Sequence, residues 1–164
     1  MKKGDILTHC FNGSGDAWND DGTPSTPLKR LIERRVILDV DHGAGSFSFD
    51  VCRKAVMQGI PQICISTDFH ARSRYNFVHD MATTLSKMLA VSIPLEDIIH
   101  GVTKLPADIL RLNNWYDLSI IWNATLFRID NVPSVYSDCY GKSISFDKRI
   151  VPVGVIINGI FYDL

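Results

Sequence analysis

Residues Arg35 to Gly43 read RVILDVDHG. A run this rich in Val, Ile and Leu, without polar alternation, has the character of a strand buried on both faces, the kind that builds parallel sheets. It stops at a polar pair, Asp41-His42, so titratable side chains stand where the buried strand ends. The same grammar recurs on either side. DILTH (Asp5–His9) and PQICISTDFH (Pro61–His70) are short apolar runs that also finish in polar residues.

Helical patterns lie between and after these runs. In SFSFDVCRKAVMQG, Phe47, Val51, Cys52, Ala55 and Val56 share a helical face, with Ser46 as the expected cap and Gly59 as the stop. In NFVHDMATTLSKMLAV, Phe77, Met81, Leu85, Met88 and Leu89 form a second stripe, whose methionines read as core filler. Pro94–Gly101 and Leu105–Leu112 read as two further helices with proline near the first turn. Strand–helix alternation of this kind predicts α/β architecture with parallel strands. After Leu112 the pattern changes. DLSIIW, ATLFRI and IVPVGVIINGIFYDL are rich in β-formers, and Asn158-Gly159 is a strong hairpin signal. Two regions follow: 1–112, of α/β type, and 113–164, a small β lobe.

Composition narrows the functional classes. The chain has 164 residues, 46% apolar and 21% charged, with a formal charge of −1. That balance gives no basic footprint for nucleic acid or an anionic membrane, and no apolar stretch approaches the length of a span. MKKGDILTH lacks the apolar segment of a signal peptide. Cys10, Cys52, Cys64 and Cys139 have no metal-finger spacing and read as buried, reduced thiols of a cytoplasmic protein. Strand alternation turns Cys10 away from the side that His9 faces.

In a (β/α)8 barrel, chemistry sits at the C-terminal ends of the strands. His9, Asp41-His42 and Asp68 occupy that place here. Two histidines and an aspartate at successive strand ends are the ligand chemistry of a divalent metal such as zinc. Zinc would lower the pKa of a water, and Asp68 would carry that water's proton to the leaving nitrogen. Against this stand plainer roles, a hydrogen-bonded structural histidine and an aspartate that caps the next segment. Gly43 and Gly45 precede a helix, where free backbone N–H groups could receive a carboxylate or phosphate, or simply form a βα turn. Arg72 and Arg74 are open to the same two readings, an anion clamp or a solvated loop.

GDILTHCFNG, DVDHGAGSFSF, ISTDFH, DMATTLSKML and VGVIINGIFYDL, in this order, resemble the C-terminal half of the amidohydrolase superfamily. The nearest branch is the dihydroorotase-like metallohydrolases, which include N-acyl amino-acid deacetylases. The resemblance implies the last three strand–helix units of a (β/α)8 TIM barrel followed by a β-sandwich segment. It implies His9 as a metal ligand, Asp68 as ligand and proton shuttle, and His42, Gly43 and Gly45 near the substrate. It implies one or two zinc ions and hydrolysis of a small-molecule amide, either cyclic or N-acylated.

Two departures stand out. Asp41 occupies a position where the family pattern has glycine, and NNWYDLSIIWNATLF alters the usual approach to the sandwich. No HxH pair occurs in these residues, nor do the first five strands with the bridging lysine and further histidine. Neighbouring strands lie about 4.8 Å apart, so His9 and Asp68 would start about 10 Å apart on an uncurved wall. The expectation is therefore a truncated form, with a split enzyme completed by an N-terminal half and a homo-oligomer that completes the wall as rivals. An inactive module needing a complementary chain is the alternative function. A flavodoxin-like domain binding phosphate at Gly43–Ser46 ranks behind both.

Overall fold

Strands β1 (Ile6–Leu7), β2 (Ile37–Asp39) and β3 (Ile63–Cys64) lie side by side, all parallel, in a computed structural model that describes residues 1–112 and 123–164. Leu7 pairs with Leu38 and Leu38 with Ile63, so these side chains share the face that packs under the helices. Ile37 and Asp39, one residue to either side of Leu38, face the other way. The pairing expected of the three apolar runs is therefore present, as a small and open sheet.

Helix α1 (Thr26–Glu33) lies between β1 and β2, outside the helices read from the sequence. Its signal was Pro27 in the first turn with Leu28, Leu31 and Ile32 at helical spacing. Helix α2 (Phe49–Met57) starts two residues later than expected. Ser48, not Ser46, accepts from the Val51 N–H, because buried Phe47 stacks on His42 and holds the preceding residues in the turn. After the one-turn helix α3 (Ala71–Arg74), Asp80 caps α4 (Met81–Ala90), which leaves Phe77 ahead of the helix and Met81 exposed. Helices α5 (Leu95–Val102) and α6 (Lys104–Ile109) follow close to expectation. Gly101 lets α5 rest on β3, since a Cβ there would stand 2.5 Å from the Ile63 carbonyl oxygen.

The second region is antiparallel. Strands β4 (Asn123–Asp130), β7 (Arg149–Ile157) and β8 (Ile160–Asp163) form one sheet in the order β4-β7-β8, and β5 (Ser134–Ser137) pairs with β6 (Ser143–Phe146). The Asn158-Gly159 turn joins β7 to β8 as its sequence requires, with both residues at positive φ. Pro152 has no N–H to give in the central strand. A bulge opposite Leu126 and Phe127 accommodates it. The expected strand at DLSIIW and the boundary at Asn113 lie outside the described residues. No helix among the described residues is long and apolar enough to cross a membrane.

Asp138 ties the two regions together. Its buried carboxylate accepts from Phe49 N at 2.9 Å, at the start of α2, and from Tyr140 N and Lys142 N at 2.8 and 2.9 Å. The negative charge also opposes the partial positive charge of the helix N-terminus. Ile150 N donates to Ser86 Oγ at 2.9 Å, pinning β7 to α4. Replacing Asp138 by Asn turns an N–H towards one of those donors. Asp138→Asn should cost about 2–3 kcal/mol in urea unfolding; a loss below about 0.5 kcal/mol would remove this tie from the stability of the fold.

Candidate active site

The strands end at residues that share an unusual backbone. His9, Asp41 and Asp68 have φ of 54°, 42° and 45°, in the left-handed region that side-chain-bearing residues seldom occupy. Each such residue costs on the order of 1 kcal/mol, and such costs concentrate where geometry serves function. Periodicity in the sequence gave the strand ends but carried no sign of this strain.

The turn Asp41–Gly43 lies between His9 and Asp68 and touches both. On one side, His9 Nδ1 donates to the Asp41 carbonyl at 2.8 Å, and His9 Nε2 stands 3.4 Å from Asp41 Oδ2. Thr8 Oγ1 donates to the same carboxylate at 2.5 Å. On the other side, Gly43 lies so close to the Asp68 carboxylate that a Cβ would collide with it. Gly43 N also bonds Thr67 O at 3.1 Å, fixing the turn to the end of β3.

Asp68 is half-exposed, and His70 Nε2 stands 3.9 Å from its Oδ2. His70 Nδ1 accepts from Arg72 N at 3.2 Å, which leaves the proton on Nε2, towards the carboxylate. His70 was not among the predicted site residues, although ISTDFH contains it. Arg72 and Arg74 are carried on α3 and exposed, with Arg74 over the Tyr75 ring.

Behind the turn lies a second carboxylate that the sequence did not single out. Asp39 is buried and accepts from Ser66 Oγ at 2.7 Å, while its Oδ1 has no hydrogen-bond partner. Burial raises the Asp39 carboxyl above its usual range. The Ser66 hydroxyl works against that rise, and the neighbouring Asp41 charge adds to it. The face of the sheet opposite the helices thus becomes polar near the strand ends, rather than the wholly apolar wall that the runs suggested.

His42 faces away from this surface. It is fully buried, stacked on Phe47 with centroids 4.7 Å apart. Its Nδ1 donates to Gly43 O at 2.9 Å and its Nε2 accepts from Lys87 Nζ at 3.0 Å. Lys87 also donates to Phe77 O and to Ser137 O at 2.7 Å, so each ammonium proton has an acceptor. Sequence reading missed Lys87 because a lone lysine on α4 reads as an exposed residue. Gly45 faces open space, and its carbonyl accepts from Tyr140 Oη at 3.0 Å.

Of the backbone donors at and just beyond the expected phosphate cradle at Gly43–Ser46, three are committed within the chain. Phe49 N serves Asp138, Ser48 N serves Phe11 O and Gly43 N serves Thr67 O. The thiols are unsuited to nucleophilic work. Cys10 and Cys52 are buried, which raises both thiols, and Cys64 is pushed up to about 12 by burial and then by Asp39. Cys64 and Cys139 are half-buried rather than fully buried as expected.

Burial draws His42 down to about 4, and the Lys87 charge adds to that fall; burial also draws Lys87 down to about 8. The unfolded chain, with His42 near 6.5, therefore binds more protons than the folded one between these values. The associated stability is fully present above pH 6.5 and is lost as pH falls towards 4. The loss should be on the order of 3 kcal/mol in urea midpoints taken across that window, and much smaller in His42→Gln. An equal slope in the variant would contradict the assignment.

No protein-family model matches the chain. Curated relatives do. A deacetylase of Enterococcus faecalis (strain ATCC 700802 / V583) is 36% identical over 99% of this chain and 46% of its own length. A deacetylase of Agrobacterium fabrum (strain C58 / ATCC 33970), Atu3266, is 41% identical over 94% of this chain and 39% of its own. Among solved structures, an adenine deaminase superposes with a TM-score of 0.91 at 33% identity, over 100% of this chain and 46% of that one. A dihydroorotase gives 0.83 at 33% identity, over 99% and 43%. The chain thus spans less than half the length of the curated relatives it matches. With sequence and backbone both aligned along nearly all of it, the chain belongs to the amidohydrolase superfamily.

Proposed function

We propose that this chain forms part of a metal-dependent hydrolase of amide C–N bonds in small molecules, cyclic amides or N-acyl amino acids. In this reading residues 1–112 are the C-terminal part of a TIM barrel and 113–164 belong to a β-sandwich. The carrying observation is the His9 ring. With Nδ1 committed to the Asp41 carbonyl, Nε2 is the nitrogen left to ligate, at the half-exposed strand ends and 3.4 Å from Asp41 Oδ2. Metal-ligating histidines are held in this way.

His9 and Asp68 would hold the ion, of zinc type. A divalent ion there supplies Lewis acidity and a lowered pKa for water. Asp68 takes a proton from water and returns it to the leaving nitrogen, with His70 Nε2 3.9 Å from the same carboxylate. Gly43 keeps the space beside Asp68 free of a side chain, and Gly45 faces open space where substrate backbone or carboxylate can lie. Buried His42 acts on substrate through the Gly43 carbonyl that it holds. The free thiols fit a reducing cytoplasm.

Catalytic zinc sites normally use three protein ligands, and among the described residues no cluster of three His, Cys, Asp or Glu side chains is placed to hold one ion. That favours completion by a complementary N-terminal half, or by a second copy. It also keeps open the reading of a module without turnover of its own.

The test is amide hydrolysis with zinc, by this chain alone and by this chain co-expressed with the part of the Enterococcus faecalis deacetylase that it does not match. The expected result is turnover of N-acyl amino acids or cyclic amides by the pair, reduced at least about 100-fold by Asp68→Asn. Turnover unchanged by Asp68→Asn would overturn the role of that carboxylate. A stable pair without turnover would establish the inactive module.

A further inference from the structure

We propose that the cavity between α4 and the β lobe is a binding site for a small organic phosphate, held by Arg149, His79 and Thr83. The cavity has a volume of about 390 Å³, within the range of about 300–1,000 Å³ typical of small-molecule sites. Its walls come from the turn before α4, from α4 itself, from β5 and from the first residue of β7. None of His9, Asp41, Gly43 or Asp68 lines it, so it is separate from the strand-end surface and does not depend on the metal reading.

Charge points to the ligand. Arg149, His79 and Lys87 line the cavity, and no described residue that lines it carries a carboxylate. The buried Lys87 ammonium has three neutral acceptors, the His42 ring nitrogen and the carbonyls of Phe77 and Ser137. It ties two walls together and keeps its positive charge without a carboxylate in contact. Arg149 stands opposite Asp130 in the β4–β7 ladder, where an ion pair would be favourable. Arg128 takes that carboxylate instead, at 2.7 Å. Among the described residues, neither the Arg149 guanidinium nor the His79 ring has a hydrogen-bond or ion-pair partner. The bond from Ile150 N to Ser86 Oγ pins the start of β7 to α4 and brings Arg149 to the cavity. His79 is held at its wall with a left-handed φ of 58°, a cost of the kind that gathers at binding sites. A guanidinium, an imidazole and a hydroxyl from three separate elements suit the several oxygens of a phosphate better than the two of a carboxylate. Phe77 and the exposed side chain of Val135 supply an apolar wall for the organic part.

The experiment is a calorimetric titration of the purified chain, in chelator, with phenyl phosphate, inorganic phosphate and benzoate. The wild type is compared with Arg149→Gln, His79→Asn and Arg53→Gln, the last of which removes an exposed charge on α2. Thermal midpoints without ligand serve as the folding control, and asparagine tolerates the left-handed backbone of residue 79. The expected result is saturable binding of phenyl phosphate by the wild type, unchanged in Arg53→Gln. Arg149→Gln should weaken it about 10- to 100-fold and His79→Asn at least about 3-fold. Inorganic phosphate and benzoate should each bind more weakly than phenyl phosphate. Absence of binding by the wild type, or wild-type affinity in both cavity variants, would overturn the site. Equal losses in all three variants would reduce the effect to net charge and overturn it as well. Inorganic phosphate binding as tightly as phenyl phosphate would overturn the organic part of the ligand, and benzoate doing so would overturn the phosphate.

Discussion

The hydrogen bond from His9 Nδ1 to the Asp41 carbonyl fixes the chemistry of the strand ends. It joins β1 to the turn after β2, sets the imidazole tautomer and aims the remaining nitrogen. The same turn reaches Asp68 through Gly43, where only hydrogen fits. Two candidate ligands from the outer strands are thereby referenced to a single piece of backbone. That turn is held from behind by His42, whose ring bonds Gly43 O and Lys87. A buried histidine that cannot reach solvent thus governs the surface where substrate would lie.

This arrangement depends on the β lobe more than a surface-site description suggests. Lys87 spans from α4 to the carbonyl of Ser137, and Asp138 stands at the N-terminus of α2. Cys139 N bonds Phe47 O, directly behind the stacked His42 and Phe47 rings. The segment Ser137–Cys139 therefore buttresses the turn that carries the site. Strain at three left-handed residues needs such support, since without it each would relax to ordinary strand or turn geometry.

Much of this was legible in the residues, for identifiable reasons. Apolar runs without alternation predicted parallel strands, and β1, β2 and β3 are parallel. Asn158-Gly159 predicted its hairpin because few other pairs accept positive φ at both central positions. The polar strand ends marked His9 and Asp68, and the family resemblance has been matched by relatives of like sequence and backbone. Helix α1 was passed over although Pro27 announced it. Other features could not be read. Lys87 looks like any surface lysine until the fold buries it, and Asp39 looks like part of a strand until its Oδ1 is left without a partner. Asp41 was visible as an oddity, but only tertiary contact reveals that it embraces the His9 ring. Such facts reside in the meeting of segments far apart in the chain, which periodicity does not encode.

The claim that polar side chains at parallel strand ends form the metal-binding surface is tested most directly by zinc-edge X-ray absorption on the zinc-loaded chain. The expected first shell is nitrogen and oxygen alone at about 2.0–2.2 Å, with the outer scattering of imidazole. A sulfur shell at about 2.3 Å would place zinc on the thiols and contradict the assignment to the strand ends.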